Sequence, residues 1–496
     1  MNSITNFFKR TTKSEWGFYI YGMGSLQFAV LVFGVVTVVL EATAAESSTQ
    51  ADGITACDTS IKNYKCWIDI FGWAISPTTY SLYVLTVGHL LQAFSLIQFS
   101  GLSDHGNLRS IYLIFFTVLG GIGSATIVFA VNKSGWYWVA ISYIFISFAY
   151  SLATAIHSSY IPILADIDLD LSRSEDKKGL LEGESELIAM ERSRGRLSDI
   201  GLMSGLFLGT IASLISAIIS FQFNGSNTSL IYTLFVSSLF WLVLGIIGWY
   251  ILENKPGPPI KNPLHYVTLS WNKLGLTLSS ARSYSNILIL FMGWFMLLDS
   301  VSMLFILLKL IGKVQVGMTA ADFLLMACLT SPLEVLGMIF YNFIQKRFNL
   351  NCKQMIILHL VFYLIFPIYY FIGTFLNFGF DSKAEVYILK LVLIFPYSHL
   401  SSVQRVLLSN FIPAGRETEF FSLNQVFGRG TAWIGPLLVG SVESFTGNIR
   451  YGFVFPIAFM IVGLIFLLQI NVEKGLDQAK ENSLSGAVYE MLEVDS

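Results

Sequence analysis

The sequence predicts an all-α membrane protein with twelve transmembrane helices. Of the 496 residues, 54% are apolar and 12% are charged, whereas a soluble domain carries about 25% charged residues. The apolar residues form runs of roughly twenty, the length that crosses a bilayer as a helix, and in lipid only a helix or a closed barrel pairs all its backbone groups. The composition therefore excludes a soluble enzyme and a disordered scaffold. The net charge of −2 gives no basic field for nucleic acid.

Each predicted span is an apolar run bounded by charged or turn-forming residues. The first run follows Lys9, Arg10 and Lys13 but is too long for the apolar core of a signal peptide, so we expect it to be retained. The predicted spans are 16–40, 78–100, 111–131, 136–157, 198–221, 230–251, 286–308, 321–342, 355–375, 386–406, 423–446 and 452–471.

The Lys and Arg distribution predicts that both termini are cytosolic. With a cytosolic N-terminus, 22 of the 30 basic residues fall on the cytosolic side, as the positive-inside rule requires. The sequons at Asn132, Asn224 and Asn227 then lie outside the cytosol, where glycans are added. Cys57 and Cys66 share a non-cytosolic loop, and we expect a disulfide because this compartment is oxidising. Two free thiols and unused sequons remain the alternatives.

The loops divide the spans into two sets of six. The prolines of 253–285 forbid a continuous helix between spans six and seven. The loop at 158–197 is charged and contains Asp176, Leu180 and Leu181 in an acidic dileucine pattern, which predicts a sorting signal read by adaptors. The predicted division is 1–157 and 198–252 for the N-terminal bundle, 158–197 for a cytosolic loop, 253–285 for the central linker, 286–471 for the C-terminal bundle and 472–496 for the tail.

This plan resembles the major facilitator superfamily, in which two six-helix bundles surround a central cavity. Asp104 and Arg109, in the loop between spans two and three, match part of the superfamily's pattern there. They predict a gating loop that latches the cytosolic side. The alternative is a solvated turn.

Ionisable residues at membrane depth are costly and indicate functional sites. Asp299, Glu334, Lys390 and Arg429 lie within predicted spans, and the facilitator plan places those spans at the cavity. We expect them to bind substrate or a coupling ion, and Glu334 and Arg429 lie at similar depth and are expected to pair. Charge pairs that merely hold helices together are the alternative.

Span five carries Gly201, Gly205 and Gly209 at intervals of four residues. Small residues on one stripe let two helices approach closely. In the facilitator fold this span packs on span eight, so we expect the stripe to form a sliding contact between the halves, with tight static packing as the alternative.

The segment 415–436 resembles the signature of the autophagy-related protein 22 family, a group of vacuolar amino-acid effluxers within the facilitator superfamily. The opening Glu15-Trp16-Gly17, the KPGPPI linker at 255–260 and Asp299 agree with this family. A Glu-Pro pair common in the family's first helix is absent, which puts a coupling role there in doubt. The signature positions are Gly415, Arg416, Glu417, Phe420, Phe421, Trp433, Gly435 and Pro436.

The resemblance implies a monomeric vacuolar carrier that exports neutral, leucine-like amino acids to the cytosol by alternating access. Asp299 would bind the ammonium group and Arg429 the carboxylate, and Asp299 or Glu334 can carry a proton. No cofactor, metal or nucleic acid is expected, and membrane lipid surrounds the protein. A carrier of another small solute and a non-transporting membrane sensor remain the alternatives. An intramembrane enzyme is disfavoured because no HExxH or aspartyl-protease motif occurs.

Overall fold

The computed structural model is almost entirely helical. The structure describes residues 11–50, 52–59, 64–70, 72–100, 102–103, 106–161, 163–164, 186–222, 226–253, 271, 275, 285–376, 378–380, 382–412, 420, 423–424, 426–428 and 432–479.

Within the described residues, six α-helices belong to the N-terminal half and seven to the C-terminal half. The first six are α1 Lys13–Glu46, α2 Pro77–Ser100, α3 Leu108–Ala125, α4 Tyr137–Ser158, α5 Glu186–Gln222 and α6 Asn227–Ile251. The others are α7 Ser285–Ile311, α8 Ala320–Arg347, α9 Cys352–Leu376, α10 Lys383–Ile394, α11 Tyr397–Phe411, α12 Ile434–Thr446 and α13 Val454–Gln469. The tenth predicted span consists of two helices, which we label α10 and α11. The eleventh and twelfth predicted spans are therefore labelled α12 and α13.

Eleven stretches of the described residues are long and apolar enough to cross a membrane, and α10 with α11 counts as one of them. The eleventh predicted span is described as a helix only over α12, which has 13 residues. This arrangement is the twelve-span, two-bundle plan that the sequence predicts.

The helix starts follow from local sequence. Thr12 and Glu15 cap each other before α1: the Thr12 hydroxyl accepts from the Glu15 backbone at 3.2 Å, and the Glu15 carboxylate accepts from the Thr12 backbone at 2.8 Å. Thr319 and Asp322 form the same capping box before α8. Lys383 then donates to Asp322 at 2.7 Å and holds the start of α10 beside the start of α8.

Helix α1 is the most buried of the spans and α5 the least. Helix α1 packs on α5 and α6, while the two halves meet mainly where α8 packs on α5 and where α12 packs on α2. A further close approach joins the halves where α1 crosses α8. A Cβ added at Gly34 would lie 3.3 Å from the Cβ of Ala327.

The expectation for the glycine stripe of α5 was wrong about its partner. Cβ atoms added at Gly205 and Gly209 would lie 2.5 Å from Leu26 and 3.0 Å from Val30, so the stripe packs on α1 within its own half. The stripe lets the large side chains of α1 reach the α5 backbone, which is tight static packing rather than a sliding surface.

The loop between α1 and α2 is a small folded unit. Strands β1 Ile68–Ile70 and β2 Trp73–Ile75 pair in antiparallel register, and Cys57 is disulfide-bonded to Cys66. Tyr64 donates to the buried Glu41 carboxylate near the end of α1. Burial and the Glu41 charge raise the pKa of Tyr64, so its hydroxyl stays protonated as a donor. We call the side of the molecule that carries this disulfide, next to the Glu41 end of α1, the disulfide face.

Candidate functional site

Four polar side chains meet between three spans of the C-terminal half. We call Lys309, Glu334, Lys390 and Ser398 the polar cluster. Ser398 Oγ donates to Glu334 Oε2 at 2.6 Å, and the charges of Glu334 and Lys390 lie close enough to interact. Lys390 Nζ also lies 3.8 Å from the centroid of the Phe305 ring, a cation–π contact. The structure thus brings together two of the embedded residues that the sequence singled out.

A break in the tenth span positions this cluster. The sequence predicts one continuous span over 386–406, but α10 ends at Ile394 and α11 begins at Tyr397. Pro396 has no N–H to continue the helical ladder. The break places Lys390, which lies over Phe305, before it and Ser398, which donates to Glu334, after it.

Neighbouring spans stabilise the break. Tyr363 of α9 donates from its hydroxyl to the Leu393 carbonyl at 2.7 Å, which satisfies an acceptor at the end of α10. A Cβ added at Gly337 would lie only 1.6 Å from the Phe395 oxygen. Only glycine therefore lets α8 approach the break so closely.

Sequence reasoning missed Lys309. The predicted seventh span ended at 308, but α7 continues to Ile311 and Lys309 is 9% exposed. Its Nζ donates to the Phe33 carbonyl oxygen at 2.5 Å, and it follows by one helical turn Phe305, whose ring Lys390 contacts. The signal was present, because Leu310 and Ile311 continue the apolar run past the lysine.

The residue that accepts from Lys309 has an exposed side chain. Phe33 is 42% exposed, whereas every other residue of α1 except Lys13 at its start is buried or half-buried. Its ring lies 5.7 Å from the Tyr150 ring of α4. The face of α1 next to the Lys309 contact is therefore accessible at Phe33.

Asp299 lies apart from the cluster on α7. It is 4% exposed, and its Oδ2 has no hydrogen-bond partner among the described residues. One turn later, Met303 packs within 2.7 Å of a Cβ added at Gly435, so Asp299 is directed toward the start of α12. The charge of Lys390 lies close enough to Glu334 to interact, and no ion pair joins Lys390 to Asp299 among the described residues.

The signature segment is described in part. Phe420, Gly435 and Pro436 are buried, and Trp433 is half-buried immediately before α12. Gly415, Arg416, Glu417, Phe421 and Arg429 lie outside the described residues, and the pairing of Arg429 with Glu334 stays a prediction.

Glu443 links the two halves at the disulfide face. This carboxylate of α12 is 8% exposed. It accepts from the Ser76 hydroxyl at 2.8 Å and also from the Thr79 hydroxyl at the start of α2. We call this contact the Glu443 latch, and the halves cannot separate here without breaking it.

Asn227 makes a second contact between the halves at this face. Lys313 Nζ, just after α7, donates to Asn227 Oδ1 at 3.2 Å, and Asn227 Nδ2 donates to Glu46 Oε1 at 2.5 Å. The Asn227 amide is thus engaged on both sides, whereas the Asn132 side chain is exposed. The third sequon asparagine, Asn224, lies outside the described residues.

The remaining predicted positions lie elsewhere. The Arg109 guanidinium is 5.7 Å from the Tyr160 ring centroid, while Asp104, Asp176, Leu180 and Leu181 lie outside the described residues. A histidine pair escaped sequence reasoning altogether. His359 Nε2 and His399 Nδ1 are 2.9 Å apart, and both side chains are fully buried.

Sequence comparisons identify the family of the chain. The model of the "Vacuole effluxer Atg22 like" family matches residues 10–480. Autophagy-related protein 22 of Kluyveromyces lactis is 26% identical, with 94% of this chain and 95% of that protein aligned. Its counterpart in Coccidioides immitis is 24% identical, with 95% and 89% aligned.

Solved structures with the same fold include transporters. A POT family peptide transporter superposes with a TM-score of 0.60 at 12% identity, covering 92% of this chain and 97% of that one. A D-xylose–proton symporter superposes with a TM-score of 0.54 at 14% identity, covering 92% and 99%. The protein is therefore a multi-pass membrane transporter and not an enzyme, and the chain belongs to the Atg22-like vacuole effluxer family.

Proposed function

We propose that this transporter exports neutral amino acids from the vacuole lumen to the cytosol. The observation that carries the proposal is Asp299, a carboxylate that is 4% exposed and has an oxygen without a hydrogen-bond partner among the described residues. A buried polar atom without a partner costs several kcal/mol. A substrate ammonium group or a proton would offset that cost in each transport cycle.

The substrate class follows from the charges in the spans. A zwitterion needs an acidic and a basic partner, and a leucine-like side chain needs apolar walls. Asp299 and Glu334 supply acids within the spans. The sequence supplies Arg429 and Lys390 as bases, and Lys390 Nζ lies over the aromatic ring of Phe305.

The proposed location is the vacuolar membrane with both termini in the cytosol. The family's description and the basic residues of the predicted cytosolic loops support it. In this orientation the disulfide face is luminal. The Glu443 latch and the Asn227 contact then hold the luminal side closed, and substrate release is toward the cytosol.

Efflux of labelled amino acids from isolated vacuoles tests the proposal. We expect leucine to leave vacuoles that contain the protein faster than vacuoles that lack it, and an apolar amino acid of similar size to compete. Equal efflux of every amino acid from the two preparations would contradict the proposal. Efflux of an unrelated solute instead would identify a carrier for another substrate.

A further inference from the structure

We propose that Lys309 and Lys390 form a carboxylate-binding subsite, and that the carboxylate of the transported molecule supplies the negative charge that the polar cluster lacks. The inference rests on the proposed function for its choice of substrate. It adds a binding residue, Lys309, and a chemical group of the ligand that this residue binds.

The first argument is charge. The polar cluster holds two lysines, Lys309 and Lys390, and one carboxylate, Glu334, which accepts from Ser398 Oγ at 2.6 Å. With all three ionised, the cluster carries one positive charge in excess. Unbalanced charge at membrane depth is costly, and an anion that binds beside the cluster removes that cost.

The second argument is the surroundings of Lys309. An ammonium group has three N–H donors. The Phe33 carbonyl oxygen accepts from Nζ at 2.5 Å, and the described residues offer Lys309 no carboxylate partner. At 9% exposed, the side chain has little water to satisfy the remaining donors. A carboxylate, with two oxygens, is the chemical group that matches them.

The third argument is access. The exposed Phe33 ring lies on the residue whose carbonyl binds Lys309. Lys390 projects over Phe305, which precedes Lys309 by one helical turn on α7. Both lysines therefore lie at the same part of α7, where the residues that they occupy or contact are within one helical turn of each other. A ligand there meets aromatic rings next to two cations, as an apolar amino acid requires.

The carboxylate subsite lies far from Asp299 along α7. Asp299 precedes Lys309 by ten residues on α7, which is about 15 Å along the helix axis. That separation exceeds the length of one amino acid. The carboxylate subsite and Asp299 therefore do not bind one amino acid at the same time: Glu334 receives the ammonium group beside the subsite, and Asp299 binds the proton.

Binding to purified full-length protein in detergent, followed by thermal unfolding, tests the subsite. Four probes differ in one group each: leucine, leucinamide without the carboxylate, 4-methyl-2-oxopentanoate without the ammonium group, and 3-methylbutylamine without the carboxylate. We expect leucine and the oxo acid to stabilise the wild type and the two amines to bind much more weakly.

The variants separate charge from packing. Lys309→Gln keeps a donor for the Phe33 carbonyl but removes the charge, and we expect it to weaken leucine binding about tenfold to hundredfold while binding of leucinamide stays unchanged. Lys309→Arg should retain most of the binding. Lys346→Gln is the matched control, because Lys346 is exposed near the far end of α8.

The outcomes are distinguishable. If Lys309→Gln keeps full preference for leucine over leucinamide, the subsite is wrong, even where leucine is transported. If leucine does not bind but the oxo acid binds in a Lys309-dependent manner, the subsite stands and the proposed amino-acid substrate fails. If no carboxylate stabilises a folded wild type, both are overturned.

Discussion

Asp299 in the interior and Glu443 at the disulfide face are both buried carboxylates, yet their surroundings differ. Glu443 accepts hydrogen bonds from Ser76 and Thr79 across the two halves. Asp299 has an oxygen with no partner among the described residues. A satisfied carboxylate stabilises one arrangement of the helices, whereas an unsatisfied one needs a mobile partner. Glu443 therefore holds the two halves together at the disulfide face, whereas we expect Asp299 to bind substrate or a proton.

The largest effect is expected for Asp299→Asn. The change preserves size and removes the charge, so efflux should fall about tenfold to hundredfold, the value of a lost charge-assisted hydrogen bond. Expression and location should stay normal, because no described partner is stranded. The measurement is amino-acid efflux normalised to protein level.

A second variant checks the role of Lys390 in this result. Since Lys390 interacts with Glu334, adding Lys390→Met to Asp299→Asn should not restore efflux. Normal efflux by Asp299→Asn alone would show that this acid is not part of the site.

Glu443→Leu should open the disulfide face. The change leaves two hydroxyls without their acceptor, which favours separation by about 2 kcal/mol, or roughly thirtyfold in the population of the open state. A cysteine introduced at Phe33 reports on this, because a thiol reagent added on the disulfide side should label it faster.

Glu443→Gln and Ser441→Ala serve as comparisons for the latch. The amide oxygen of Gln still accepts a hydrogen bond, so its effect should be intermediate. Ser441 donates within its own helix to Leu437 at 2.8 Å, so its loss should leave labelling unchanged. Unaltered labelling in Glu443→Leu would mean that other contacts hold the face closed.

Loss of the Cys57–Cys66 disulfide should lower stability more than transport. A disulfide typically contributes 2–4 kcal/mol, and the loop it closes contacts α1 through Tyr64 and not the polar cluster. The double Cys57→Ser, Cys66→Ser variant should unfold at a lower temperature while it transports substrate once folded. Peptide mapping without reductant should recover the two cysteines linked, and recovery of both as free thiols would argue against the bond.

The smallest effect concerns glycosylation. Asn132 is exposed, whereas the Asn227 amide is bonded to Glu46 and Lys313. We expect Asn132→Gln to remove a glycosidase-sensitive mass shift and Asn227→Gln to leave that shift in place. The reverse pattern would indicate that Asn227 carries the glycan and does not bind Glu46 and Lys313 when it is modified.

The sequence was sufficient for the fold, and it singled out the acids that lie within the spans. Apolar runs and basic loops predict the spans, because backbone pairing in lipid leaves few alternatives. Asp299 and Glu334 stood out because an acid within such a run is rare. Each of these features is a local property of a single apolar run, so it can be recognised without knowing how the helices pack.

The sequence was not sufficient for the partners of those residues. Which residue faces Glu334 depends on the rotation and tilt of three spans and on the break at Pro396. Lys309 was missed because a span boundary was set one residue too early. The His359–His399 pair joins side chains forty positions apart, and the glycine stripe of α5 has two neighbouring helices on which it can pack. Such pairings are decided by tertiary packing rather than by local pattern.

The crossing of α1 and α8 at Gly34 and Ala327 has a mechanical consequence. It divides α1 into a segment of about 18 Å toward Glu46 and one of about 32 Å toward Lys13. A rigid rotation about this point moves the two ends of the helix in the ratio of these lengths. A small displacement of α1 at the disulfide face by such a rotation would be accompanied by a displacement nearly twice as large at the opposite face.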